Sequence, residues 1–334
     1  MKNNDIQTLI QKYFLQRLMA QRNVSPETIK SYRDTFRLYL RYIETRYGVP
    51  PAKMSITQFS ADHIIGFLSH LEKERGNSAK TINNRLAALH SFAKYLIFEL
   101  PEYSGLLNRS LKVPFRKFEK RQMEFLTEDE FAALKSACET DTALGRRDML
   151  MLLLLYNTGI RVSELVGLKL SNVHIDSQGT TAYIRVHGKG RKERDVPLWK
   201  STAKYLAEYL RDHARGENSS LFANCADGDL TRSGVRYRLG CLQKKASKTA
   251  PSLTKKTITP HTFRHTTALR MLQSGVDIST IAIWLGHDSI ITTHKYMEAD
   301  LEMKRQTLEK MGDPGNSAYH FTPDAVIMAF LDSL

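Results

Sequence analysis

One stretch of this sequence, TTAYIRVHGKGRKERDVPL at 180–198, reads as a β-hairpin with GKGR as its turn, and no other segment does so convincingly. Elsewhere the apolar positions recur at helical spacing. Ser25 is placed to cap a helix with Pro26 at its first position, and Ile29, Tyr32, Phe36, Tyr39 and Ile43 follow as one face. A shorter helix is expected over 61–75 on Ile64, Phe67, Leu68 and Leu71. Ser78 caps the next, with Ile82, Leu86, Leu89, Phe92 and Leu96 as its stripe. The pattern predicts a mainly α fold with a small β-sheet, its front end a helical bundle over 1–103.

Residues 104–123 break the pattern. They lack strong periodicity, contain Pro114 and are rich in Lys and Arg, so they read as a basic linker. A second domain, 124–312, opens at LTEDEF, where Thr127 and Glu130 have the spacing of a capping box. Helices are expected through Leu170 and again from Lys200. The tail, 313–334, carries one more helix, with Thr322 and Pro323 at its start and Val326, Ile327, Phe330 and Leu331 as an apolar stripe. A helix this short is marginal alone in water, so it must dock on its own domain or on a neighbour.

A length of 334 residues suits two domains with separate cores. The most apolar run, MLMLLLLY at 149–156, is too short to span a membrane and reads as a buried helix, and the start MKNNDIQTLIQ has no signal-peptide core. Three widely spaced cysteines, Cys138, Cys225 and Cys241, suit neither a disulfide framework nor a zinc site and fit a reducing cytoplasm.

The net charge of +14 favours a polyanionic partner, nucleic acid first. Residues 1–118 hold 19 basic against 9 acidic side chains. From Leu230 to Val276 there are ten basic residues and no acidic one. Two basic regions suggest two domains gripping one polyanion, although a solvated lysine face has the same composition. The candidates for contact with a DNA backbone are Lys80, Asn84 and Arg85 on the polar face of the 78–96 helix, Arg116 and Lys117 in the linker, and Arg191, Arg232, Arg236 and Arg238 in the second domain.

Four places in the second domain have side chains suited to chemistry: Arg161 and Glu164 in TGIRVSELVGL, Lys189 in the hairpin turn, His261, Arg264 and His265 in PHTFRHT, and His287 and Tyr296 in WLGHDSIITTHKYM. If they converge, the set lacks the clustered carboxylates of a magnesium nuclease and any Walker-type loop. It suits metal-free attack on a phosphodiester, with arginines on the non-bridging oxygens, tyrosine as nucleophile and lysine as acid for the leaving oxygen. Each piece alone has a plainer reading: Arg161 as a helix-end partner of Glu164, Lys189 as a solvated turn residue, His261 as a cap, His287 as a core histidine, Tyr296 as an ordinary aromatic. Spacing cannot show convergence.

The ordered series TGIRVSELVGL, VHGKGRKERDVPL, PHTFRHTTALRMLQSG, IAIWLGH and TTHKYM resembles the tyrosine recombinase family of phage integrases, Cre-like and Xer-like enzymes. The likeness spans nearly the whole second domain, and the front bundle is similar, more weakly, to that family's core-binding domain. It implies a mixed α/β catalytic domain that forms a C-shaped DNA clamp with the bundle. Arg161 and Arg264 match the family's arginines, Glu164 the acid that orients the site, and Lys189 the hairpin general acid. His261 pairs with Arg264, His287 matches the phosphate-bonding position, and Tyr296 the nucleophile. His265 is expected to support the fold.

The chemistry so implied uses no metal and no other cofactor. Tyr296 would form a 3′-phosphotyrosyl link, and two rounds of exchange would pass through a Holliday junction. The implied partners are a double-stranded DNA site and three further copies of the chain, with a related recombinase as another candidate subunit. The implied place is the cytoplasm, at the nucleoid. The tail is long for an Xer-like member, which leads to the expectation that it docks on a neighbouring protomer. The long tail and the insertion-like KTAPSLTKK at 248–256 favour a mobile-element integrase or transposase over a chromosome or plasmid dimer resolvase. A regulator that binds DNA without cutting it and a type IB topoisomerase are the readings from other classes.

Overall fold

Helices in this chain begin where a side-chain oxygen can take the first free amides. Ser25 Oγ accepts from the Thr28 amide at 3.3 Å and starts α2, Pro26–Tyr47. Ser78 Oγ accepts from Thr81 and starts α4, Ala79–Glu99. Thr127 and Glu130 exchange both bonds of a capping box at 3.2 and 2.9 Å, starting α6, Glu128–Ser136. Each such cap stabilises by about 1 kcal/mol. The computed structural model describes residues 6–118, 123–176, 181–188, 193–211, 216–224, 226, 228–287 and 293.

The chain divides into two compact units, Met1–Arg121 and Gln122–Leu334. In the first, α1 (Ile6–Lys12) runs on as a π-helical segment, Tyr13–Gln21, ahead of α2, α3 (Ala61–Lys73), α4 and α5 (Ser104–Leu111). Its core is aromatic. Tyr13, Phe36, Phe59 and Phe92 are buried, and Phe92 meets the other three rings at centroid distances of 5.1 Å, at steep angles. Such pairs each add about 0.5–1.5 kcal/mol to the burial of their area.

α5 departs from the aperiodic linker expected over 104–123. It packs on α3 and α4, and its inner face holds Leu107 and Ser110. The Ser110 hydroxyl donates to the Phe59 carbonyl at 2.7 Å, and the Ser110 carbonyl lies 3.1 Å from His90 Nε2. Asn83, on α4, takes the Arg116 amide and gives a hydrogen bond to its carbonyl, so the chain stays fastened to the bundle beyond α5.

The second unit is organised around α7, Ala143–Thr158. The MLMLLLLY run lies here; Leu150, Met151, Leu152, Leu154 and Leu155 have no exposed surface. Against α7 pack α9 (Lys200–Arg211) and α11 (Pro260–Gln273), and α10 (Arg232–Ala246) packs on α6. The hairpin strands are β2 (Ala182–His187) and β3 (Glu193–Pro197), paired antiparallel with Ile184 opposite Val196. A further strand, β1 (Val173–Ile175), pairs antiparallel with β2 in a stretch for which no strand was expected. Two short helices frame the site: α8 (Val162–Val166) and α12 (Ile278–Leu285). Among the described residues no helix is long and apolar enough to cross a membrane. The C-terminal segment 313–334 lies outside the described residues.

Candidate active site

α7 and α12 both end on a glycine in the left-handed region, Gly159 at φ +62° and Gly286 at φ +64°, a conformation that costs side-chain-bearing residues energy. At Gly286 the ending is complete: its amide donates to Ile283 and the His287 amide donates to Ala282 at 2.9 Å. The turn leaves three successive carbonyls, of Trp284, Leu285 and Gly286, without helical donors and at the negative end of the helix.

Three arginines from three elements fill them. Arg194 Nε on β3 donates to Trp284 at 2.9 Å, Arg264 Nη2 on α11 to Leu285 at 2.7 Å, and Arg161 Nη2 before α8 to Gly286 at 2.6 Å. Arg264 also donates to the Gly159 carbonyl at 2.8 Å, joining the ends of both glycine-terminated helices. Trp284 Nε1 adds a bond to the Thr158 carbonyl at 3.1 Å. The convergence that spacing left open is therefore present for Arg161, Glu164, Arg264 and His287.

Among the described residues, Glu164 is the carboxylate that joins Arg161 and Arg194. It accepts from the Arg161 amide at 2.8 Å, from Arg161 Nη1 at 2.9 Å, and from Arg194 Nη1 and Nη2 at 3.2 and 2.9 Å. Its side chain is 3% exposed. Burial alone pushes a carboxyl pKa upward; here the Arg194 fork and the Arg161 contacts outweigh it and hold Glu164 below the usual range. Arg161 keeps 28% of its side chain exposed.

His287 follows directly. It is half-buried, with Nδ1 2.8 Å from the Thr293 hydroxyl. Its pKa is pushed down to about 4, first by burial and then by the charges of Arg264, Arg161, Arg194 and His265. The ring is therefore neutral at physiological pH. His261 is exposed on the first turn of α11, and its ring lies nearly parallel to that of His265 at 6.3 Å. Lys189, Arg191 and Tyr296 lie outside the described residues. Among the described residues no three His, Cys, Asp or Glu side chains group as metal ligands.

The proposed DNA contacts divide. Lys80, Asn84, Lys117, Arg232 and Arg236 are exposed. Arg116 is exposed too and pairs with Glu72 at 3.0 Å. Arg85 is half-buried, with a buried Nε that has no hydrogen-bond partner. Arg238 differs from the surface contact expected of it: it grips the fully buried Asp148 at 2.8 and 2.7 Å. Two residues escaped the sequence reading, Thr293 and Arg194. For Arg194 a signal was present, because period-two alternation from the buried Val196 points it inward.

Residues 124–303 match the model of the phage integrase family, and residues 11–99 match that of the phage integrase N-terminal SAM-like domain. The chain is 43% identical over 333 residues to the integrase/recombinase y4rC of Sinorhizobium fredii, covering all of this chain and 99% of that one. It is 34% identical to the tyrosine recombinase XerC of Pelotomaculum thermopropionicum over 89% of this chain and 95% of that one. The solved Tn1549 transposon integrase, in complex with transposon right end DNA, shares the fold at a TM-score of 0.68 and 19% identity, over 90% of this chain and 98% of that one. The chain belongs to the phage integrase family of tyrosine recombinases, whose members are site-specific DNA recombinases.

Proposed function

We propose that this recombinase cleaves and rejoins duplex DNA through a covalent bond between Tyr296 and a 3′-phosphate. The observation that carries the reading is the gathering of Arg161, Arg264 and neutral His287 around one helix end. Guanidinium groups stay charged and match the non-bridging oxygens of a phosphate. As Tyr296 attacks phosphorus, negative charge builds on those oxygens, and each well-placed donor stabilises it by about 3–4 kcal/mol. When the Thr293 hydroxyl donates to His287 Nδ1, the ring proton sits on Nε2, ready to donate to the same phosphate. His261 supplies a further donor, and Lys189 delivers the proton that the departing 5′-oxygen needs. The phosphotyrosyl bond keeps the energy of the broken phosphodiester. A 5′-hydroxyl from a second duplex can therefore reverse the step without a nucleotide cofactor.

Two exchanges of this kind, by four copies on two DNA sites, would pass through a Holliday junction. A solved lambda integrase tetramer is bound to one, at a TM-score of 0.62 and 19% identity. In this reading the tail helix at 313–334 links neighbouring copies, and the work is done in the cytoplasm at the nucleoid. Similarity to y4rC over its full length favours the integrase or transposase of a mobile element. Similarity to XerC supports a second reading as a dimer resolvase.

The test is covalent capture in cells: express wild type and Tyr296→Phe, denature, recover protein-linked DNA and sequence the attached ends. Wild-type adducts at a recurring sequence, absent from Tyr296→Phe, are expected. Adducts scattered along the genome would point to a topoisomerase. Adducts persisting in Tyr296→Phe would remove Tyr296 as the nucleophile, and DNA binding without any adduct would favour a non-catalytic regulator.

A further inference from the structure

Glu164 has two cationic partners, and they differ in exposure and in contacts. Arg161 reaches Glu164 with Nη1 and the Gly286 carbonyl with Nη2, and its side chain is 28% exposed. Arg194 lies deeper, at 14% exposure, and its three named contacts are internal: both oxygens of Glu164 and the Trp284 carbonyl. Gly286 makes room for it, since a Cβ there would lie 2.7 Å from Arg194 Nη1 and 3.0 Å from its Cζ.

We propose that Arg194 is a positioning residue, which satisfies Glu164 so that Arg161 keeps an edge for the phosphate, and which fixes the turn presenting His287. The inference rests on the phosphate-binding reading of Arg161 and His287. Without Arg194, Glu164 would keep Arg161 as its only cation at these distances among the described residues. A buried carboxylate draws a lone guanidinium into a bidentate pair, which would turn Arg161 inward. The Trp284 carbonyl would lose its donor, and the chain leading to His287 would lose one of the three arginines that pin it. Arg194 also stands on β3, five positions beyond Lys189 in sequence, and its side chain ties that strand to the arginine site.

The test uses the full-length protein and the DNA site recovered by covalent capture, built as a nicked duplex whose cleaved end diffuses away. The variants are Arg194→Met, Arg194→Lys, Glu164→Gln and the double variant Arg194→Met/Glu164→Gln. The readouts are single-turnover adduct formation, DNA affinity against salt, and Tm. Arg194→Met should form adduct about a hundredfold more slowly at unchanged affinity, the scale expected of a misplaced catalytic group. Arg194→Lys keeps the charge but not the planar fork, and should recover only part of the rate while remaining folded. The double variant should be slower than Glu164→Gln only by the share that Arg194 contributes through the Trp284 carbonyl, well short of the product of the two single losses.

A pH profile separates positioning from mere support. Glu164 faces Arg161 at the start of its own helix and Arg194 from β3, while His287 after α12 feels the charges of Arg264, Arg161, Arg194 and His265. Stripped of its fork, buried Glu164 takes up a proton more readily, so the Arg194→Met rate relative to wild type should fall as pH rises and the carboxylate forms and draws Arg161 inward. Independent rate losses in the double variant, or a flat profile with a lowered Tm and a normal rate per folded molecule, would overturn the proposal. Weaker binding with a salt slope reduced by about one charge would make Arg194 a DNA contact instead. Absence of any wild-type adduct would bring down the proposed function and this inference together, whereas failure of the variants alone leaves that function standing.

Discussion

The second unit contains two triads of one carboxylate between two arginines, and they behave as opposites. Asp148, fully buried, holds Arg147 at 3.0 Å and Arg238 at 2.7 Å, while Arg147 also donates to the Ala223 carbonyl at 2.7 Å. Their side chains are 7% and 21% exposed, and the triad joins α7 to α10. Glu164 holds Arg161 and Arg194 with similar distances, yet Arg161 is 28% exposed and both arginines go on to the end of α12. The charges are the same in both. The first triad bolts α7 to α10. The second reaches the end of α12, and in the proposed function its Arg161 meets the phosphate.

Breaking the bolt should produce the largest effect on stability. Asp148→Ala leaves two guanidinium groups facing each other in the core, and a loss of about 3–5 kcal/mol is expected in denaturant unfolding. If Asp148→Ala were as stable as wild type, the two triads would not differ in the way described. Arg161→Ala should do the reverse. Adduct formation should fall about 10²–10³-fold, as for loss of one transition-state donor, with Tm moving far less than in Asp148→Ala.

The pH dependence of stability sharpens the comparison further. The folded-state pKa of His287 is about 4, below the free value of 6.5. Between those limits the unfolded chain binds a proton that the folded chain refuses, so stability falls as pH is lowered through the window. Tm should therefore drop less on acidification in His287→Gln than in wild type. His63 and His90, also lowered by burial, act equally in both proteins and cancel in the difference.

The smallest effect belongs to the exposed bases of the first unit. Lys80→Ala and Lys117→Ala should each reduce the slope of log affinity against log salt by about 0.9 if the side chain meets a phosphate, with adduct formation at saturating DNA unchanged. A slope identical to wild type would remove that residue from the DNA face.

How far the sequence could reveal these features depended on the range of the interactions. Caps at Ser25, Ser78 and Thr127 act over three residues, so their side chains declare them. The β2–β3 hairpin is equally local. α5 escaped because it is only eight residues long and sets Ser110, with its hydrogen bonds to Phe59 and His90, beside Leu107, so little apolar periodicity shows. β1 escaped because three residues are too few to show alternation. Arg238 was read from its charge alone, while its partner Asp148 stands 90 residues away. Arg194 has the same difficulty, since its contacts lie 30 residues and 90 residues distant. Arg161, Arg264 and His287 could be named beforehand only through resemblance to a family; nothing in their spacing says that they meet.

The bond from Arg161 to the Gly286 carbonyl spans 125 residues, and it sets an order of events during synthesis. Translation adds about 5–20 residues per second, so Arg161 leaves the ribosome roughly ten seconds before its carbonyl partner exists. The basic first unit can fold in the interval, whereas the arginine site has no floor until α12 emerges. A nascent chain thus acquires its attraction for polyanions well before it acquires an assembled site, and a chain stalled or truncated ahead of α12 can hold nucleic acid without being equipped to cut it.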